Sequence, residues 1–166
     1  GISYPINFIK PPILFFMALA IIKPDFKLKK EHLLHTIPFF LMLLMNIPFY
    51  GMPASEKLAY VEQFITYVPT YTSFDFWFFM SFFFYIGAYL WISIAKLTDY
   101  QQHIKNNSQA NWYQSVLRLY FLGLGLGFLY FLIRPSGIIE IPLFNLISML
   151  VMTFLIQSIA YNFITQ

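Results

Sequence analysis

The chain lacks cysteine and carries few charged residues. Without a thiol it can form no disulfide, no thiolate metal site and no cysteine nucleophile. Only 10% of its 166 residues are charged, whereas roughly a quarter of the residues in an average soluble domain are charged. Since 59% of the residues are apolar and 22% are aromatic, a soluble fold of this size has too little interior to cover them. A lipid bilayer is the solvent that suits such a surface.

Residues suited to catalysis or metal binding are also scarce. The chain has three histidines, and two of them, His32 and His35, lie one turn apart beside Glu31. A membrane di-iron enzyme needs many more histidines, and no serine–histidine pair is indicated. No two carboxylates share a helix face in the middle of an apolar stretch. We therefore expect no catalytic residues, no metal and no cofactor.

Five long apolar stretches divide the chain, at residues 5–22, 33–50, 74–95, 116–133 and 138–164. A helix rises about 1.5 Å per residue, so about 20 residues cross the hydrocarbon core of a bilayer. The stretches predict an all-α fold: a polytopic transmembrane helical bundle with about five spans, in a single domain over residues 1–166. Pro11 and Pro12 predict a short first span, and Pro38 and Pro48 predict kinks in the second.

Lysine and arginine fall mostly into every second gap between these stretches. The first gap holds four lysines and the third holds Lys96 and Lys105, whereas the second and fourth hold only Lys57 and Arg134. Because gaps rich in Lys and Arg face the cytoplasm, the pattern predicts an N-terminus outside and a C-terminus in the cytoplasm. The expected partners are the lipid bilayer and neighbouring transmembrane helices or a homodimer. No basic face is broad enough for nucleic acid.

The polar and small residues near the spans have simple structural roles. The spacing of Leu58, Val61 and Ile65 predicts a helix on the outer membrane interface. Gly123 and Gly127 form a small-xxx-small pair within an apolar stretch, which predicts close helix packing rather than a nucleotide loop. The uncharged polar residues inside the spans form no continuous stripe, which disfavours a small transporter.

Residues 26–40 read Phe-Lys-Leu-Lys-Lys-Glu-His-Leu-Leu-His-Thr-Ile-Pro-Phe-Phe. This stretch resembles the loop and helix start of the membrane sensor region of AraC-type transcription regulators in Bacteroidetes. Residues 4–15 look like the proline-led span of that family, and residues 100–118 look like its cytoplasmic loop and tryptophan-leucine-arginine helix start. The chain departs from the family where Lys10-Pro11-Pro12 replaces the usual glycine-proline, and in the wider spacing between Trp112 and Arg118.

The resemblance implies a multi-pass protein of the bacterial inner membrane. The chain is then the sensory and anchoring domain of a membrane-bound transcription regulator, without its helix-turn-helix DNA-binding domain, and the segment itself contacts no nucleic acid. A signal is expected to shift helix packing, and the last span would relay that shift to the cytoplasm. The alternative is a non-catalytic accessory subunit of a larger membrane protein complex.

Two groups of residues are candidates for the sensory role. Lys10, Tyr71 and Asp75 are predicted to line a ligand pocket on the outer side, because ionisable residues near a span are functional suspects. The predicted relay at the cytoplasmic side consists of His35, Trp112 and Arg118.

Overall fold

Every regular element in the described part of the chain is a helix. The computed structural model describes residues 3–66, 68–104 and 107–137. The elements are α1 (Ser3–Ile6), α2 (Lys10–Ile22), a 3₁₀ helix (Lys30–Thr36), α3 (Ile37–Met45), α4 (Ile47–Gly51), α5 (Ala54–Thr66), α6 (Phe74–His103), α7 (Ser108–Ile133) and a 3₁₀ turn (Arg134–Ser136). The prediction of an all-helical fold is confirmed for these residues.

Among the described residues, two helices are long and apolar enough to cross a membrane. They are α6, with 30 residues, and α7 together with the following 3₁₀ turn, with 29 residues. Only 22% and 11% of their most apolar windows are buried inside the protein. A core helix of a soluble domain would be mostly covered by its neighbours, whereas these helices present their apolar side chains outward. The third and fourth apolar stretches of the sequence therefore each form one continuous helix.

Prolines divide the first two apolar stretches into shorter pieces. The 13 residues of α2 extend about 20 Å, which is less than the roughly 30 Å of a hydrocarbon core. In the second stretch, α3 and α4 each carry a proline within their first two positions, Pro38 and Pro48. Proline lacks the N–H that a continuing helix needs, so a new helix begins there instead. The 3₁₀ helix passes directly into α3 at Ile37, and a single residue, Asn46, separates α3 from α4.

The core lies where α2, α6 and α7 pack together. α6 and α7 form an antiparallel pair, and each begins with a side-chain cap: Ser73 accepts a hydrogen bond from the backbone N–H of Phe76, and Asn107 accepts one from that of Ala110. The buried cluster shared by the three helices consists of Ala18, Ile86, Leu90, Leu97, Ala110, Tyr113 and Leu117. This packing fixes the two long helices against each other.

The fifth apolar stretch, residues 138–164, lies outside the described residues, and so does the predicted cytoplasmic C-terminus. The number of spans and the orientation of the chain in a membrane stay predictions.

Candidate functional site

A cavity of about 300 Å³ lies at the N-terminal end of α6. Its walls come from α3, α4, α5 and α6, and most of them are apolar or aromatic. The lining residues are Met42, Met45, Asn46, Phe49, Tyr60, Val61, Phe74, Asp75, Phe78 and Phe79. A volume of this size suits a small molecule, and a few polar groups among apolar walls are typical of small-molecule sites.

Asp75 supplies the carboxylate of this cavity. It stands in the first turn of α6, directly after the capped start of the helix at Ser73. The N-terminal end of a helix carries a partial positive charge, which favours a negative group at this position. Among the described residues, no group of three or more possible metal ligands converges. The polar groups in the lining include the carboxylate of Asp75 and the side-chain amide of Asn46, and aromatic rings surround them.

Asn46 supplies the amide, at the break between α3 and α4. Its side-chain nitrogen donates to the carbonyl of Met42 at 2.7 Å, and its backbone N–H caps the end of α3. The side chain is half-buried. Two hydrogen bonds to α3 thus hold this polar group in place beside the cavity.

Tyr60 and Val61 form the wall of the cavity that α5 contributes. Lys57 donates to the carbonyl of Tyr50 at 2.9 Å, and the rings of Phe49 and Tyr60 lie 5.4 Å apart. The hydroxyl of Tyr50 is buried and, within the described part of the chain, has no hydrogen-bond partner. The junction between α4 and α5 therefore includes the hydrogen bond from Lys57, the contact between the two rings and the buried hydroxyl of Tyr50.

Of the three residues predicted for an outer pocket, Asp75 lines the cavity and the other two have partners elsewhere. The hydroxyl of Tyr71 donates to the carbonyl of Leu132 at 2.9 Å, which joins the loop before α6 to the end of α7. The ammonium group of Lys10 donates to the side-chain oxygen of Asn7 at 2.8 Å, at the start of α2. Tyr71 stabilises the ends of the long helices beside the cavity.

The predicted relay residues occupy different surroundings. A hydrogen bond joins the Nδ1 atom of His35 to the hydroxyl of Tyr89, and the ring of Phe16 lies 5.3 Å from that of His35. Trp112 packs against the buried cluster of α2, α6 and α7, and its indole N–H is buried without a partner among the described residues. Arg118 is exposed on α7. His35 and Trp112 both contact the packed helices, whereas Arg118 lies at their surface.

Gly123 and Gly127 lie on α7, whereas Gly87 lies on α6. Gly123 and Gly127, predicted to mediate helix packing, are both half-buried. A contact between α6 and α7 is formed by Gly87 and Leu124, since a Cβ built at Gly87 would lie 3.8 Å from a methyl group of Leu124. The sequence pattern of α7 alone does not indicate Gly87.

Two tyrosines bind the backbone of the first helical segment. The hydroxyl of Tyr85 donates to the carbonyl of Phe8 at 2.9 Å, and that of Tyr113 donates to the carbonyl of Leu14 at 2.8 Å. Pro12 has no N–H, so the carbonyl four residues before it receives no donor from the next turn. Tyr85 supplies the missing donor. The sequence reasoning predicted neither contact, because it assigned the tyrosines to membrane interfaces or to the lining of a cavity.

A scan against protein-family models found no match, and neither did comparisons with curated proteins and with solved structures. The function of this chain is therefore inferred from its own residues and their arrangement, and the resemblance to AraC-type regulators stays a prediction.

Proposed function

We propose that the chain is a multi-span sensory and anchoring domain of a membrane-bound transcription regulator in the bacterial inner membrane. The observation that carries the proposal is the cavity at the N-terminal end of α6, with Asp75 and Asn46 among aromatic walls. Sites of this composition bind small molecules rather than catalyse reactions on them unless a nucleophile or general base accompanies them.

The chemistry of the cavity defines the class of its ligand. Phe49, Phe78 and Phe79 provide flat apolar surface, and Asp75 provides an acceptor that favours a cationic or hydrogen-bond-donating group. Asn46 adds a second polar contact. The ligand is a small amphipathic molecule with an apolar body and at least one donor group.

A membrane placement is supported by the outward-facing side chains of α6. Trp77 is 61% exposed, Phe84 is 66% exposed and Trp91 is 65% exposed. Monomeric soluble proteins rarely expose a continuous apolar patch of this kind. In a bilayer the same side chains contact lipid, and tryptophans stand near the interfaces.

The signal passes from the cavity to the packed helices. A ligand contacts α3, α4 and α5 on one side and α6 on the other, so it favours the arrangement of these elements that fits it best. The bond between His35 and Tyr89 connects α6 to the 3₁₀ helix, and the bond from Tyr85 to the carbonyl of Phe8 connects α6 to the segment just before α2. Both bonds transfer a displacement of α6 to its neighbours. The displacement of α6 then changes the positions of the basic loop after α2 and of the turn between α6 and α7, both on the predicted cytoplasmic side.

The second candidate is a non-catalytic accessory subunit of a larger membrane complex. The same exposed aromatic side chains of α6 would then pack against partner helices instead of lipid. The two functions differ in what loss of the protein should change: a set of transcripts for a regulator, and a membrane complex for an accessory subunit.

Transcript profiling in the native host tests the proposed function. We expect deletion of the gene to change a confined set of transcripts, and wild-type protein to restore them. Asp75→Asn removes the charge that faces the ligand and should fail to restore them. Glu56→Gln, an exposed acid of α5 outside the cavity lining, should restore them fully.

Unchanged transcripts in the deletion strain would contradict the regulatory function. Co-purification of the full chain with a membrane enzyme complex at a fixed stoichiometry, in that same strain background, would establish the accessory subunit instead.

A further inference from the structure

A groove of about 500 Å³ runs between α6 and α7, separate from the cavity above. Its lining consists of apolar residues and glycine alone. Rings of Phe83, Trp91, Phe121 and Phe128 stand along it. Gly125 lies in the groove, and a Cβ built there would meet no atom within 4 Å. The absence of a side chain at Gly125 thus keeps the groove open.

A polar pocket of about 320 Å³ continues this groove toward the C-terminal end of α6. The two share Trp91. Thr98, Asp99 and Gln102 line the polar part. The hydroxyl of Thr98 is already engaged, because it accepts from the Gln114 amide at 2.6 Å and donates to a backbone carbonyl at 2.8 Å. Asp99 and Gln102 therefore carry the recognition of a ligand there.

The length of the combined surface along α6, and its division into an apolar and a polar part, match those of a phospholipid. From residue 83 to residue 102, α6 rises about 28 Å, of which the apolar part takes about half. Near Asp99 on the described part of α6, Lys96 is exposed three residues earlier in the helix. A ring nitrogen of His103 lies 4.0 Å from the Asp99 carboxylate. A carboxylate beside a lysine complements a headgroup with one ammonium and one phosphate.

We propose that the groove and the polar pocket together bind one phospholipid with a primary ammonium headgroup. An acyl chain lies between α6 and α7, the ammonium group contacts Asp99, and the phosphate contacts Lys96. The site is distinct from the ligand cavity at the other end of α6. It rests on the membrane placement proposed above and is independent of any role in gene regulation.

Native mass spectrometry of the purified full chain tests this site with phosphatidylethanolamine and phosphatidylglycerol as probes. We expect one phosphatidylethanolamine per chain and weaker retention of phosphatidylglycerol. Gly125→Leu should reduce lipid retention about tenfold, since its side chain displaces roughly two methylene groups of the acyl chain. Leucine raises helix propensity over glycine, so the variant should fold. Gly51→Leu, also placed in open space, is the matched control.

Asp99→Asn tests the headgroup contact separately. It should abolish the preference for phosphatidylethanolamine while the acyl chain still binds, and Asp25→Asn, another exposed aspartate, should leave the preference unchanged. Equal retention by Gly125→Leu and the wild type would overturn the proposal. So would a Gly125→Leu variant that loses a dimer rather than a lipid, because the groove would then hold a second copy. The transcript response plays no part in this assay, so either proposal can fail without the other.

Discussion

At the scale of single residues, a tyrosine hydroxyl replaces the backbone N–H donor that a proline lacks. Pro12 leaves the carbonyl of Phe8 without a donor from the helix, and Tyr85 donates to that carbonyl from α6. A buried carbonyl without a partner costs free energy, and the cost is larger away from water. The contact therefore both stabilises the start of α2 and fixes its height along α6.

A double-mutant cycle tests this compensation. Tyr85→Phe should lower the free energy of unfolding by about 1 kcal/mol, as expected for a single hydrogen bond between helices. In a Pro12→Ala background the new N–H can donate to Phe8, so the same change should cost measurably less. Unfolding of the wild type, both single variants and the double variant in the same detergent gives the coupling. An equal cost of Tyr85→Phe in both backgrounds would contradict the compensation.

The sequence indicates that a carbonyl near Pro12 lacks a donor, but it does not indicate which side chain supplies one. Pro11 and Pro12 indicate an interruption in the backbone hydrogen bonding, because the missing N–H is a property of the proline residue itself. The partner lies 77 residues away, and no local rule indicates which of the 12 tyrosines reaches the carbonyl. The bond between His35 and Tyr89 is unpredictable for the same reason.

At the scale of elements, the helices differ in how firmly they are held. α2, α6 and α7 share a buried cluster, whereas α5 is exposed over most of its described side chains. Lys57 and the ring of Tyr60 contact α4. A helix that forms one wall of a cavity and has few buried side chains opens more readily than the packed core.

Hydrogen exchange measures this difference directly. Backbone amides of α5 should exchange before those of the middle of α6, and Lys57→Met should speed exchange in α5 while leaving α6 unchanged. Lys27→Met, which removes an exposed lysine outside α5 and α6, serves as the control. Equal protection of α5 and α6 in the wild type would show that α5 belongs to the rigid core.

Helix boundaries were predictable where one principle dominates. The apolar stretches at residues 74–95 and 116–133 form long helices because nothing within them interrupts hydrogen bonding, and the polar ends extend both helices beyond the apolar part. Prolines set the breaks around α3 and α4. The cavity itself depends on how these pieces pack, so the sequence pointed to Asp75 but not to its neighbours Phe49 and Tyr60.

At the scale of the whole molecule, the described chain has two distinct ends. The cavity lies at the start of α6, and the turn between α6 and α7 lies at the other end, near the lysines that the sequence assigns to the cytoplasm. α6 spans about 45 Å between them, which exceeds the hydrocarbon thickness of a bilayer. A sensory function requires that the cavity and the basic loop after α2 face opposite sides of the membrane.

Cysteine labelling can locate the cavity and the basic loop relative to the membrane, because the chain contains no cysteine of its own. Ser55→Cys places a thiol on α5, the helix that contributes one wall of the cavity. Asp25→Cys places one in the basic loop, and both positions are exposed. With a membrane-impermeant maleimide on intact spheroplasts, Ser55→Cys should react at once and Asp25→Cys only after permeabilisation. Labelling of both variants from the same side would contradict the account.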